Sequence, residues 1–263
     1  MTRFDWYQAT VYASDPDQCG LLSALSSAWD LSDIGPEKPM HGFTSGARIS
    51  RGDHKLCHLW WGGNPGINIT ATSADAPVLA DVLSRSGLPF GVTRADACMD
   101  WLDATAFDSL AGHLIEFAKA NRIAINQQGD WARGVARTLY VGSPQSPVRI
   151  CLYEKGYEQG GDAPRDWTRL EVRVKPKGPA RISVGRMAAA DLFGCGWVHE
   201  ALQPLGLEDL QKRAVGVVWR PSDTERARRA LLKQYGAVMA QWADEAGGWD
   251  TFGKVIQEAL ETA

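Results

Sequence analysis

The stretch Arg137–Lys155, RTLYVGSPQSPVRICLYEK, decides how this chain is read. It predicts two short strands joined by a Gly-Ser-Pro turn, the second ending on Tyr-Glu-Lys. Side chains alternate along a strand. Arg149, Cys151, Tyr153 and Lys155 are therefore expected on one face, with Ile150 and Leu152 on the other. A tyrosine set between cations is poor core material but suits the neighbourhood of a phosphate. Downstream, WTRLEVRVK (Trp167–Lys175) puts Arg169, Glu171 and Arg173 on one strand face. Upstream, VTRADACMDW (Val92–Trp101) does the same with Arg94, Asp96, Cys98 and Asp100.

If these three strands share a sheet with those faces together, the parts for phosphodiester chemistry are present. Asp96, Asp100 and Glu171 offer the oxygen ligands of a hard cation, Mg²⁺ or Mn²⁺. Tyr153 is the candidate nucleophile. Arg149 and Lys155 are expected to stabilise charge at phosphorus and to lower the pKa of Tyr153, since a free phenol with a pKa of about 10 is protonated at neutral pH. Arg94, Arg169, Arg173, Lys175 and Lys177 are the candidate DNA contacts. Each strand alone is better explained as a solvated, packed or ion-paired face. Three together favour a tyrosine nuclease. Tyr140, Tyr157 and Tyr235 stay open as competing nucleophiles, with Tyr235 inside a helical segment and better explained by packing.

The 263 residues suit one large domain or two close ones, and 44% hydrophobic with 22% charged content is ordinary for a soluble globular chain. A formal net charge of -3 argues against a coat-like nucleic-acid binder, but it leaves room for a local basic groove. Arg165, Arg169, Arg173, Lys175, Lys177, Arg181 and Arg186 supply one between residues 165 and 186, against Asp166 and Glu171. Five scattered cysteines without a CxxC point to reduced thiols and a cytoplasmic setting. There is no signal-peptide pattern and no apolar run approaching the ~20 residues that span a bilayer, so no membrane is expected. His54 and His58 sit in a strand-like segment and read as structural. No P-loop, GxGxxG or GxSxG occurs.

Along the chain, FDWYQATVYA, GFTSGARISRG, HKLCHLWWGG and INITATS read as strands. A helix is expected after Asp15, another from Ser73 to Leu83, and an amphipathic one over TAFDSLAGHLIEFAKAN. Gly156–Asp166 reads as a polar, glycine-rich loop. From about Val184 the pattern turns helical, with KRAVGVVWR as one last candidate strand. A long helix capped by Ser222 and Glu225 and a final helix follow. The fold expected is α+β: a mainly antiparallel central sheet flanked by helices, in a nuclease domain over 1–180. A helical part over 181–263 is expected to pack on it and to bind DNA or dimerise.

The ordered set resembles the rolling-circle replication initiators of filamentous phages and plasmids, the replication initiation factor or Rep_trans family. The residues that carry the resemblance are Thr93, Arg94, Asp96 and Asp100, then Tyr140, Gly142, Ser143 and Ser146. Arg149, Tyr153, Lys155, Tyr157 and Glu158 follow, and Trp167, Arg169 and Glu171 complete it. The chain departs from the family at Pro144, where members often carry a basic residue. It departs again at Arg173, where plasmid members often carry a second acid. The resemblance implies a metal-dependent, site- and strand-specific nickase and strand transferase. Tyr153 would form a 5′-phosphotyrosyl link at origin DNA, double-stranded or single-stranded. A host helicase and DNA polymerase, a bacterial cytoplasm and a homodimer belong to the same expectation. The alternative is a non-catalytic DNA-binding regulator on the same fold, with Tyr153 a packing residue.

Overall fold

The computed structural model describes residues 2–30, 32–205, 211–215 and 223–262, the side chains of 223–226 and 229 excepted. Its strands are β1 Arg3–Val11, β2 Asp33–Pro36, β3 Ser45–Arg51, β4 His54–Trp61, β5 Ile67–Thr72, β6 Phe90–Leu102, β7 Ile125–Asp130, β8 Val135–Val141, β9 Val148–Glu154 and β10 Trp167–Val174. The helices are α1 Leu21–Ala28, α2 Ala76–Arg85, α3 Ala106–Ala120, α4 Lys155–Gln159, α5 Ala180–Val184, α6 Val198–Leu202, α7 Asp223–Glu245 and α8 Trp249–Glu261. The strands form one sheet in the order β2-β3-β4-β5-β1-β6-β10-β9-β8-β7, each neighbouring pair antiparallel. The α+β expectation holds.

Alternation sorts the sheet into two faces. Tyr7, Ala9 and Val11 of β1 are buried on one side, as are Ala95 and Ala97 of β6, Leu170, Val172 and Val174 of β10, and Ile150 and Leu152 of β9. Helices cover this face. α2 contributes Leu79, Val82 and Leu83, and α3 contributes Leu110, Leu114 and Ala118 at helical spacing. Burying each such aliphatic side chain contributes on the order of 1.5–3 kcal/mol. The opposite face carries the polar members of the same strands.

The Arg137–Lys155 hairpin forms as read, with β8 on β9. Its turn depends on Gly142, at φ +100, where a Cβ would lie 3.1 Å from the Val148 carbonyl oxygen. One expectation fails here: the strand ends at Glu154, and Lys155 opens α4 instead of continuing the face. The segment read as a loop from Gly156 thus begins as a helical turn. Gly156 itself lies against the returning chain, where a Cβ would collide with the Pro164 carbonyl oxygen. Asp15 caps a turn through the amides of Asp17 and Gln18, and α1 starts only at Leu21. β2 and β7 were not legible in the sequence. Both are edge strands with mostly exposed residues, so no apolar alternation marks them.

The chain divides into two compact units, Met1–Val217 and Val218–Ala263. The short helical turns between Ala180 and Leu205 belong to the first. In the second, α7 and α8 pack through the rings of Trp242, Trp249 and Phe252. Ser222, Glu225 and the Gly216–Arg220 part of the last candidate strand lie outside the described residues or side chains. Among the described residues no helix is long and apolar enough to cross a membrane, and all five cysteines are free.

Candidate active site

Antiparallel register turns the three polar strand faces into rows. Asp100 of β6, Arg169 of β10 and Tyr153 of β9 stand opposite one another. Cys98, Glu171 and Cys151 form the next row, and Asp96, Arg173 and Arg149 the third. β8 extends the rows with Thr138 beside Tyr153 and Tyr140 beside Cys151. β1 adds Trp6 beside Asp96. The three strands are neighbours in one sheet with these faces together, the condition that the alternation by itself left open.

Tyr153 is 9% exposed, and its hydroxyl donates a 2.6 Å hydrogen bond to Glu171 Oε1. Burial first, then the Glu171 charge, raises the phenol's pKa well above its ordinary value. The expectation that Arg149 and Lys155 lower it is overturned. Lys155 pairs with Glu158, and its ammonium is 5.5 Å from the centre of the Tyr153 ring, not at the hydroxyl. Arg149 stacks on Tyr140 at 4.0 Å, and its Nε is buried without a partner. Burial and the facing Arg173 both lower the pKa of Arg149. Two guanidiniums directly opposite on adjacent strands repel one another.

Every oxygen of the three predicted metal-binding carboxylates is engaged. Glu171 Oε2 accepts from Arg173 at 2.8 and 3.1 Å. Asp96 takes the fork of Arg94 and lies 3.6 Å from Arg173 Nε. Burial raises the Asp96 pKa against the pull of Arg94. Asp100 stands in the far row, bound by Arg169, Trp167 and Arg3. Burial opposes its charge, but the hydrogen bonds from Arg169 and Trp167 outweigh burial and lower its pKa. Among the described residues no three His, Cys, Asp or Glu side chains gather as a metal cluster. Glu171 and Asp96 do meet at one guanidinium, and their hard oxygens suit Mg²⁺ or Mn²⁺. No third ligand joins them among the described residues and Arg173 fills the position between, so the pair as it stands is not a cation site. The thiols of Cys98 and Cys151, flanking Glu171, are pushed by burial to about 11 and about 12 and stay protonated.

The predicted DNA contacts fare differently. Arg169 is 3% exposed and held by Asp100 and by Asp5 at 2.8 Å, so it is an internal strut and not a surface contact. Arg94 is partly exposed and lies 4.1 Å over the Trp6 ring. Lys175 and Lys177 are exposed just beyond β10. Asp5, Arg3 and Trp6 of β1 were missed. A register shift between Phe4 and Trp6 breaks the alternation there, and only the tertiary pairing of β1 with β6 reveals them. A cavity of about 250 Å³ opens on this face, lined among others by Tyr140, Tyr153, Tyr157, Glu158, Glu171 and Arg173. Tyr157 stacks with Arg165 at 4.8 Å, and Tyr235 is exposed on α7. His54 pairs with Asp75 at 2.8 Å and His58 lies 3.4 Å from Glu37, so the two histidines do not form a pair.

The match to a family model agrees with the resemblance. Residues 99–189 match the model of the replication initiation factor family, a stretch that holds Tyr153, Glu171 and Arg173. No curated protein matches the chain. Among solved structures it is similar to that of a rolling circle replication initiator protein from Geobacillus stearothermophilus, at 16% identity and a TM-score of 0.47, covering 66% of this chain and 74% of that one. It is also similar to Methanococcus jannaschii TBP, at 8% identity and a TM-score of 0.31, covering 70% of this chain and 91% of that one.

Proposed function

We propose that this chain is a rolling-circle replication initiator that nicks one strand of origin DNA at a specific site and rejoins it through Tyr153. The observation that carries the reading is the 2.6 Å hydrogen bond from the Tyr153 hydroxyl to Glu171, on the wall of a cavity that Arg173 also lines. Glu171 is placed to accept the phenolic proton as the Tyr153 oxygen attacks phosphorus. The new O–P bond forms as the bond to the 3′ oxygen breaks. That oxygen takes up a proton, leaving a 5′-phosphotyrosyl link and a free 3′-OH. Arg149 and Arg173, opposite one another, hold the phosphate and meet its developing charge. Attack by a 3′-OH on the phosphotyrosyl link reverses the steps and seals the strand. Glu171 and Asp96 stay ion-paired with Arg173 and Arg94, so the charge developing at phosphorus is met by guanidinium. The 3′-OH primes a host polymerase, with a host helicase opening the duplex.

The test is mass spectrometry of the adduct formed with origin DNA, with and without Mg²⁺ or Mn²⁺. A nucleotide on Tyr153, absent from Tyr153→Phe, is the expected result. An adduct on Tyr140 or Tyr157, or undiminished cutting by Tyr153→Phe, sinks the assignment. Binding that never leads to cutting favours the regulator reading.

A further inference from the structure

The nicking residues occupy only part of the sheet's polar face. The same face continues across β1, β5, β4 and β3, and no step at Tyr153 uses it. Register makes the continuation one row: Arg48 stands opposite His58, His58 opposite Thr70, Thr70 opposite Gln8, and Gln8 opposite Arg94. Two residues further along β6 is Asp96, which begins the row of Arg173 and Arg149. At about 4.8 Å between strands, the path from β3 to β9 spans roughly 29 Å. The side chains along the continuation are flat and polar. His58 stacks on Trp60 at 5.5 Å with the ring planes 9° apart. Gln8 Nε2 donates to Asn68 Oδ1 at 3.2 Å, and the Arg94 guanidinium lies over the Trp6 ring. Trp6, Gln8, Asn68, His58, Arg48 and Arg94 are all partly exposed. Beneath them, Trp6 Nε1 and Thr70 Oγ1 are buried with no hydrogen-bond partner among the described residues. Each such group costs about 1–3 kcal/mol, so this face is not built for stability alone. Its bordering carboxylates are engaged, Glu37 beside Lys55 and His58, and Asp96 by Arg94. Arg48 has no carboxylate partner among the described residues, its Nη1 donating to the Pro36 carbonyl, so the charge left over is positive.

We propose that this row is a binding surface for single-stranded DNA that leads the strand to the nicking site. Bases lie flat against the Arg94–Trp6 stack and against His58, the amides of Gln8 and Asn68 meet base edges, and Arg48 takes a phosphate at the far end. A single strand offers ring faces and hydrogen-bonding edges, which flat side chains and amides match. A duplex stacks its rings away and presents phosphates at high density, which a face with few cations meets poorly. The path of roughly 29 Å takes about eight nucleotides at the 3.4 Å spacing of a stacked strand. The inference rests on the nicking reading, since the strand is the one cut at Tyr153, but its test does not depend on cutting.

Binding is followed by fluorescence anisotropy with (dT)12, (dT)4 and a duplex of twelve base pairs. Wild type is expected to bind (dT)12 at least ten-fold more tightly than either of the others. Arg48→Gln and Gln8→Ala/Asn68→Ala should each weaken (dT)12 binding at least three-fold, with thermal melting as in wild type. Should a variant fail to fold, photocrosslinking of wild type to an oligonucleotide carrying 5-iododeoxyuridine, mapped by mass spectrometry, decides without it. Crosslinks on Trp6 or His58 are the expected result. Crosslinks confined to Tyr140, Tyr153 or Tyr157, or wild-type affinity in the folded variants, overturn the surface. Equal affinity for the duplex overturns the choice of a single strand, and failure of (dT)12 to bind overturns the proposal outright. A Tyr153 adduct with origin DNA but no crosslink on β1 or β4 sinks this inference and leaves the nicking reading standing. Crosslinks there without any adduct sink the nucleophile assignment instead.

Discussion

Tyr153 and Glu171, eighteen residues apart in sequence, share a 2.6 Å hydrogen bond across β9 and β10. The bond keeps the phenol protonated at rest and, in the proposed nicking reaction, supplies the proton acceptor. Tyr153→Phe is therefore expected to abolish the covalent adduct. It also leaves Glu171 Oε1 without its donor in a buried setting, and should lower stability by about 1–3 kcal/mol, read from urea unfolding. Undiminished stability would mean that the hydrogen bond is absent in solution.

The phenol's ionisation gives a second check. Burial and Glu171 raise the Tyr153 pKa, and burial raises that of Tyr7. Neither should contribute to the ultraviolet titration of phenols near pH 10 until the chain unfolds. A group whose folded pKa is raised contributes stability that is present below its unfolded value and lost above it, so these two tyrosines should weaken the fold only as pH climbs past about 10. Glu171→Gln should lower the Tyr153 pKa yet leave it above the ordinary value, because burial is the larger cause. A normal titration of all six tyrosines in the folded protein would contradict this.

Arg169 ties three strands together through Asp100 and Asp5. Arg169→Ala takes the buried guanidinium away from two half-buried carboxylates and should cost about 1–3 kcal/mol of unfolding free energy. The exposed Arg85–Asp81 pair on α2 makes the contrast, since Arg85→Ala should cost less than about 1 kcal/mol. Similar losses for the two would show that Arg169 is solvated.

Arg149 should act on phosphate. In binding to single-stranded DNA, Arg149→Gln is expected to weaken affinity across sequences and reduce the slope of log affinity against log salt by about one phosphate contact, roughly 0.7. A slope identical to wild type would place Arg149 outside the DNA path.

Much of the sheet was legible from alternation alone. β6, β8, β9 and β10 each write one apolar and one polar face into the sequence, and so does most of β1. The helices α2 and α3 write their apolar stripes as plainly. What alternation could not supply is where a face stops. Lys155 keeps the period of Tyr153, but the chain turns into α4 at that residue, where Gly156 packs against the Pro164 carbonyl. The polar edge strands β2 and β7 left no pattern, since neither face of an exposed edge is selected for burial.

The sequence by itself determined that Tyr153, Glu171, Asp96 and the arginines lie on the polar sides of their strands, because a two-residue period is a local property of extended backbone. It also carried the family resemblance, on motifs from Thr93 to Glu171. Only the tertiary structure decided who meets whom. Register set Tyr153 beside Arg169 and within reach of Glu171, brought Asp5 of the first strand to Arg169, and put Arg173 between the two carboxylates. Register depends on long-range packing of the opposite, apolar face, which no local pattern of the polar residues encodes.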